Sequence, residues 1–96
     1  MVFEWDKKKS DVNLLERGFD FEFATLVFEG PTVEKEDRRR AYGEKRIVAI
    51  GVTDSLHLTV VFTNRPDQED KPIRRIISAR RSNRREREVY EQSKTG

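Results

Sequence analysis

Residues 74–91, RRIISARRSNRREREVYE, set an apolar β-type core, Ile76-Ile77-Ser78-Ala79, between two arginine pairs and then continue into an arginine-rich run. A guanidinium is a planar fork that stays charged at any physiological pH and matches phosphate or carboxylate oxygens two at a time. Arg65, Arg75, Arg80 and Arg81 fall at or near the ends of expected strands, where rigid backbone can aim such forks at one phosphate. Neighbouring strand residues point to opposite faces, so Arg80 and Arg81 cannot both meet one ligand, and neither can Arg74 and Arg75. Further on, Arg84, Arg85 and Arg87 sit in a helix-prone stretch with Tyr90. They suit either polyanion binding or a solvated face, since Glu88 can pair with Arg84 or Arg85 one turn away.

The charge is segregated. Residues 71–90 hold eight cations against two acids, a net +6, while the other 76 residues hold twelve cations against sixteen acids, a net −4. An acidic body with one concentrated cationic element is the footprint of a polyanion binder, with RNA, DNA or an acidic protein as partner. The run Arg38-Arg39-Arg40 reads as a solvated loop.

These side chains need a scaffold, and its elements are legible. Val2 to Trp5 alternate as a strand, with Trp5 as a core anchor; Asp6 caps a helix, KKKSDVNLLER, that Gly18 ends. Val12, Leu15 and Leu14 are its inward candidates. Asp20 caps a second helix, FEFATLVFE, whose Phe21, Ala24 and Phe28 share a face and which Gly30-Pro31 terminate. TVEKED reads as an edge strand and RRRAYGEK as a charged loop. Strands follow at 46–52, 58–63 and 75–80, with 53–57 as a hairpin turn and 64–72 as an exposed loop. Ser82 or Asn83 caps a last helix through about Gln92, and residues 93–96 should fray. The order predicts an α+β domain over 1–96, with helices on one face of a mostly antiparallel sheet and the other face free to bind.

At 96 residues one core is the limit. The absence of cysteine removes disulfides and thiolate metal sites, and a single histidine removes a histidine-rich cluster, so the expected chemistry uses no metal and no cofactor. No apolar run reaches the ~20 residues of a membrane span or forms a signal peptide, which makes the cytoplasm the default location.

Four blocks, FEWDKKKSDVN at 3–13, FDFEFATLVFEGP at 19–31, YGEKRIVAIG at 42–51 and RIISARRSNRREREVYE at 75–91, carry a family likeness in order over nearly the whole chain. Together they resemble the BrnT toxins of bacterial type II toxin–antitoxin systems, which are similar to RelE-type ribonucleases. The resemblance implies a RelE-like fold: a mostly antiparallel sheet of about four to five strands, two N-terminal helices and one C-terminal helix. It also implies a ribonuclease that arrests growth. A BrnA-type ribbon-helix-helix antitoxin would neutralise it in a heterotetramer that binds operator DNA through the antitoxin. Two positions depart from the family pattern. Glu16-Arg17-Gly18 stands where Lys-His-Gly is usual, so any role of that histidine is missing or passes to Arg17; Pro66 follows Arg65 where glycine is common, in a longer loop.

Metal-free RNA cleavage uses the RNA's own 2′-hydroxyl, and the protein supplies a base, an acid and cations for the charged phosphorane. Arg65, Arg75, Arg80 and Arg81 are the cation candidates, whereas Glu44, Lys45, His57 and Tyr90 are those for base and acid. Arg84, Arg85, Arg87 and Tyr90 are candidates for holding RNA or the antitoxin. Residue types alone establish only a small domain with a cationic patch. A non-catalytic nucleic-acid-binding module is therefore the alternative, and a protein-interaction module that docks an acidic partner is a third reading.

Overall fold

A computed structural model describes residues 1–94. β1 (Val2–Trp5) leads into α1 (Lys7–Arg17), where the Asp6 carboxylate accepts the Lys9 amide at 3.1 Å and Gly18, at φ +85°, closes the helix in the left-handed conformation. α2 (Phe21–Thr25) is capped by Asp20 and tightens into a 3-10 turn at Leu26–Glu29 rather than running as one helix. The Thr25 hydroxyl donates to the Glu22 carbonyl at 2.6 Å, just where the α-helical winding stops. β2 (Val33–Asp37), β3 (Arg46–Thr53), β4 (Leu56–Pro66), β5 (Pro72–Arg81) and α3 (Arg84–Ser93) follow.

The five strands form one sheet in the order β1-β5-β4-β3-β2, antiparallel except where β1 runs parallel to β5. This is the α+β arrangement expected, with two N-terminal helices and one C-terminal helix. The strands outrun their expected limits because both turns are tight. Asp54 and Ser55 take positive φ in a two-residue β3–β4 hairpin, and the Asp67 carboxylate gathers the Glu69 and Lys71 amides at 2.7 and 2.9 Å to close the β4–β5 turn. The loop expected at 64–72 therefore shrinks to a few residues.

One sheet face carries Ala49, Leu58, Val60, Phe62, Ile76 and Ala79, packed under Phe19, Phe21, Ala24 and Val27. Gly51 permits this contact, since a Cβ there would lie 2.8 Å from that of Val27. α1 joins the layer in an unexpected way. Its buried residues are Ser10 and Asn13, while Val12, Leu14 and Leu15 face outward, Leu15 at 87% exposure. Polar contacts dock it: the Ser10 hydroxyl accepts the Phe21 amide at 2.9 Å, Asn13 donates to the Phe19 carbonyl at 2.9 Å, and Arg17 donates to the Ala79 carbonyl at 2.8 Å. Apolar periodicity misassigned this face because backbone groups at the α1–α2 junction and on β5 needed partners.

α3 does not share that layer. It packs on β3 and β2 across the opposite face, covering part of the surface expected to be free. Asn83, not Ser82, is its cap: the Asn83 side chain accepts the Glu86 amide and the Glu86 carboxylate accepts the Asn83 amide, both at 2.8 Å. Ser93 ends the helix, its hydroxyl bonded to the Tyr90 carbonyl at 2.6 Å. Thr95 and Gly96 of the tail expected to fray lie outside the described residues. Among the described residues no helix is long and apolar enough to cross a membrane.

Candidate nucleic-acid interface

The face that bears α3 holds a cross-strand row with two arginines at its centre and a carboxylate at each end. Glu4 of β1 pairs with Arg75 of β5, Arg75 with Thr63 of β4, and Arg46 of β3 with Asp37 of β2. The match of Ile47 to Phe62 sets Arg46 beside Thr63 and completes the row. At ~4.8 Å per strand it spans roughly 19 Å.

Two carboxylates anchor its ends. Glu4 accepts both arms of the Arg65 fork at 2.6 and 2.7 Å and lies 3.4 Å from an Arg75 nitrogen. The Arg65 hydrogen bonds are the main reason its carboxyl sits below the ordinary glutamate value; desolvation opposes them, and Arg75 adds a lesser pull in the same direction as Arg65. Asp37, its side chain 4% exposed, accepts the Arg39 fork at 2.9 Å on each arm, the Arg39 amide at 3.1 Å and the Tyr42 hydroxyl at 3.0 Å. Those contacts, Arg39 first, hold it far below the ordinary aspartate value. Arg46 stacks over Tyr42 at 4.1 Å and bonds Glu44 at 3.2 Å.

Beside this row, a cavity of about 640 Å³ opens between the sheet and α3. Val33, Val48 and Ile50 form its floor; Arg85, Glu86 and Val89 form the helix bank, and Lys35, Glu36 and Asp37 of β2 with Arg38 and Arg39 of the following loop form the other. Arg80 reaches it from β5, its fork closed on Glu86 at 2.7 and 2.8 Å, and the charge of Arg39 is felt at Arg80. Glu86 is held below the ordinary value chiefly by Arg80, with the Asn83 amide helping and burial opposing. The lining sets four cations, Lys35, Arg38, Arg39 and Arg85, and three acids around an apolar floor, so it offers apolar contact to flat bases and guanidinium groups to phosphates.

The arginines read from the sequence fall into two clusters on this face. Arg65 and Arg75 meet at Glu4, while Arg85 lines the cavity and Arg80 is held beside it by Glu86; five residues of β5, roughly 16 Å, separate Arg75 from Arg80. They do not converge on one phosphate. Arg81 points to the other face, beside Leu14, Phe19 and Leu56, and Arg74 lies there too, 4.1 Å from the Phe62 ring and 4.8 Å from Phe28, where burial pushes its pKa down. Arg84 pairs with Glu88 at 3.2 Å, and Arg87 donates to the Ser82 carbonyl at 2.8 Å.

The expected base and acid candidates are scattered. Glu44 is bonded to Arg46. Lys45 is 3.8 Å from Glu36, with its carbonyl taken by the Thr63 hydroxyl at 2.7 Å. His57 lies against the C-terminal half of α3, 2.7 Å from Glu91 and edge-on to Tyr90. Tyr90 itself is 4% exposed and donates to the Pro31 carbonyl at 3.1 Å, so it anchors α3 from below rather than offering a binding surface. Arg17, at the position of the family histidine, is fixed on the α1 side by Asn13 and Ala79. The sequence reading missed Glu4, Asp37, Arg39 and Glu86. Only Glu86 carried a local signal, as the fourth residue of an Asn-x-x-Glu capping box.

Among the described residues no group of three or more His, Cys, Asp or Glu could hold a metal ion. The fold and site define a small α+β domain whose five-stranded sheet carries an arginine-bearing groove beside a charged cross-strand row. A family model described as "Ribonuclease toxin, BrnT, of type II toxin-antitoxin system" matches residues 5–86, most of the chain, and the chain belongs to that family. No curated protein matches it.

Proposed function

We propose that this toxin cleaves RNA by attack of the substrate's own 2′-hydroxyl, without a metal, and that the strand lies along the α3-bearing face of the sheet. The observation that carries this is the groove, an apolar floor with Arg39 and Arg38 on one bank and Arg85 on the other, in line with Arg80. In the reaction a base takes the 2′-O–H proton, the 2′-oxygen bonds to phosphorus, the P–O5′ bond breaks, and the 5′-oxygen leaves with a proton. Guanidinium groups offset the charge that builds on the non-bridging oxygens.

A BrnA-type ribbon-helix-helix antitoxin neutralises it by laying an acidic segment over the same cations. Internal carboxylates already fill these forks, Glu86 on Arg80 and Glu4 on Arg65, so the site is built to accept carboxylate as well as phosphate. The unit is a single RelE-like domain over 1–96 that acts in the cytoplasm, and the toxin–antitoxin heterotetramer binds operator DNA through the antitoxin. The test is purified toxin with RNA in EDTA. Shorter fragments bearing 2′,3′-cyclic phosphate ends are expected. Intact RNA that is nonetheless bound with strong salt dependence would assign the protein to the non-catalytic binding modules.

A further inference from the structure

Several carboxylate or imidazole side chains lie on or beside the α3-bearing face, and their partners separate them; Glu36, at the cavity, lies between Arg38 at 3.3 Å and Lys45 at 3.8 Å, and Glu88 pairs with Arg84. Both oxygens of Glu86 are taken by the Arg80 fork, and one of them also by the Asn83 amide. Asp37 is 4% exposed under three bonds from Arg39 and one from Tyr42. Glu91 and His57 satisfy each other at the far end of α3. Glu44 sits in the loop before β3, outside the sheet, with one arginine partner.

Glu4 likewise has both oxygens on one arginine fork, that of Arg65, but unlike Glu86 it caps no helix. It is on β1, a strand fixed by its register to β5, and its side chain remains 25% exposed between the forks of Arg65 and Arg75. Arg75 gives it only one contact, at 3.4 Å, and is itself 41% exposed, so its other N–H groups face solvent. We infer that Glu4 is the general base, taking the 2′-O–H proton of a nucleotide whose 3′-phosphate is held by Arg75.

The geometry supplies the contact the reaction needs. In a near-attack arrangement the 2′-oxygen lies ~3–3.5 Å from phosphorus, so a phosphate on the free side of Arg75 brings the 2′-hydroxyl within reach of a carboxylate beside that same guanidinium. Arg65 serves as a positioning residue: its two bonds at 2.6 and 2.7 Å fix the carboxylate plane. They also hold its carboxyl below the ordinary value, so Glu4 carries no proton at neutral pH and is a less basic acceptor than an unpaired glutamate. When Glu4 takes the proton, the 2′-oxygen forms the new bond to phosphorus, and the departing 5′-oxygen is protonated by water. Products are a 2′,3′-cyclic phosphate and a 5′-hydroxyl. Glu4 lies one residue before the span 5–86 matched by the family model, within the block 3–13 that carries the family likeness.

This rests on the ribonuclease reading, and the experiment separates the two. The wild-type protein, Glu4→Gln, Glu4→Asp and Glu44→Gln are compared for cleavage of a short RNA, for binding of the same RNA made uncleavable by 2′-O-methylation, and for thermal melting. Glu4→Gln should lower the single-turnover rate by ~10²–10⁴-fold, the span of general-base catalysis, with binding within about threefold of wild type and the fold retained. Glu4→Asp should recover part of the rate. Cleavage by Glu4→Gln at the wild-type rate overturns the assignment, and a loss confined to Glu44→Gln moves the base to the loop. Matched losses of binding and melting temperature would make Glu4 a structural counter-ion. Wild-type protein that leaves RNA intact overturns the ribonuclease reading instead, and the base role falls with it.

Discussion

Replacing Arg80 with alanine separates function from structure at the groove. Arg80 is partly exposed, its fork closed on Glu86 at 2.7 and 2.8 Å, while Glu86 keeps the Asn83 amide at 2.8 Å once the arginine is gone. The α3 cap therefore survives. An ion pair this accessible contributes at most about 1 kcal/mol, which lowers the melting temperature by ~4–8 °C for a domain of this size. RNA binding should suffer more. A charge-assisted bond to phosphate is worth ~1.5–3 kcal/mol; less the Glu86 contact that RNA must displace, a net ~1–2 kcal/mol remains, a ~5–30-fold loss of affinity. The salt dependence should flatten as well, the slope of log K against log salt falling by ~0.7 for one lost contact to a single strand. Fluorescence anisotropy across a salt series, beside a melting curve, reads both. Glu86→Ala gives the counter-test: it loses half the capping box, ~1 kcal/mol of stability, yet binds RNA more tightly at low salt because Arg80 is freed. An unchanged slope in Arg80→Ala, or a melting temperature lowered by far more than ~8 °C, would refute the role assigned to Arg80.

Tyr90→Phe removes the bond to the Pro31 carbonyl and should cost about 1 kcal/mol in denaturant unfolding while leaving RNA affinity unchanged, since Tyr90 is buried. Leu15→Lys should be neutral within ~0.5 kcal/mol, because Leu15 is almost fully exposed; a loss of several kcal/mol would show α1 docked by its apolar side after all. Phe62→Ala should cost ~3–5 kcal/mol, because Phe62 is fully buried and carries Phe28 and Arg74 against its ring. Stability should fall with acid. Glu4, Asp37, Glu86 and Glu91 all have folded pKa values below their ordinary ones, so what they contribute is present above about pH 4.5 and is lost as pH falls through the folded values. An acid titration of the wild type against Glu86→Gln checks the sign: the gap between them should close as pH falls below the ordinary glutamate value and through the lowered folded one.

Much of the fold was legible because capping and alternation are local. Asp6, Asp20 and Gly18 marked helix ends, and β3, β4 and β5 announced themselves by β-branched runs. Alternation also split Arg74 from Arg75 and Arg80 from Arg81, and the sheet separates both pairs as that rule requires. Three things were not local. The parallel pairing of β1 with β5 joins residues some seventy positions apart, and it is what delivers Glu4 to Arg75. The polar docking of α1 depends on backbone groups of other segments, so its periodicity pointed the wrong way. Placing α3 on the second face, and the 38–45 loop beside it, turned Arg39 from one member of a charged run into a wall of the groove, fixed there by Asp37.

The most direct test of RNA cleavage on this face by 2′-hydroxyl attack is a single RNA cut at one mapped site, compared in EDTA with the same strand carrying one 2′-deoxy nucleotide there. The ribose strand should yield a 2′,3′-cyclic phosphate and a 5′-hydroxyl, while the deoxy strand stays whole at that position and binds about as well. Cleavage of the deoxy strand, or a reaction that EDTA stops, would contradict the mechanism.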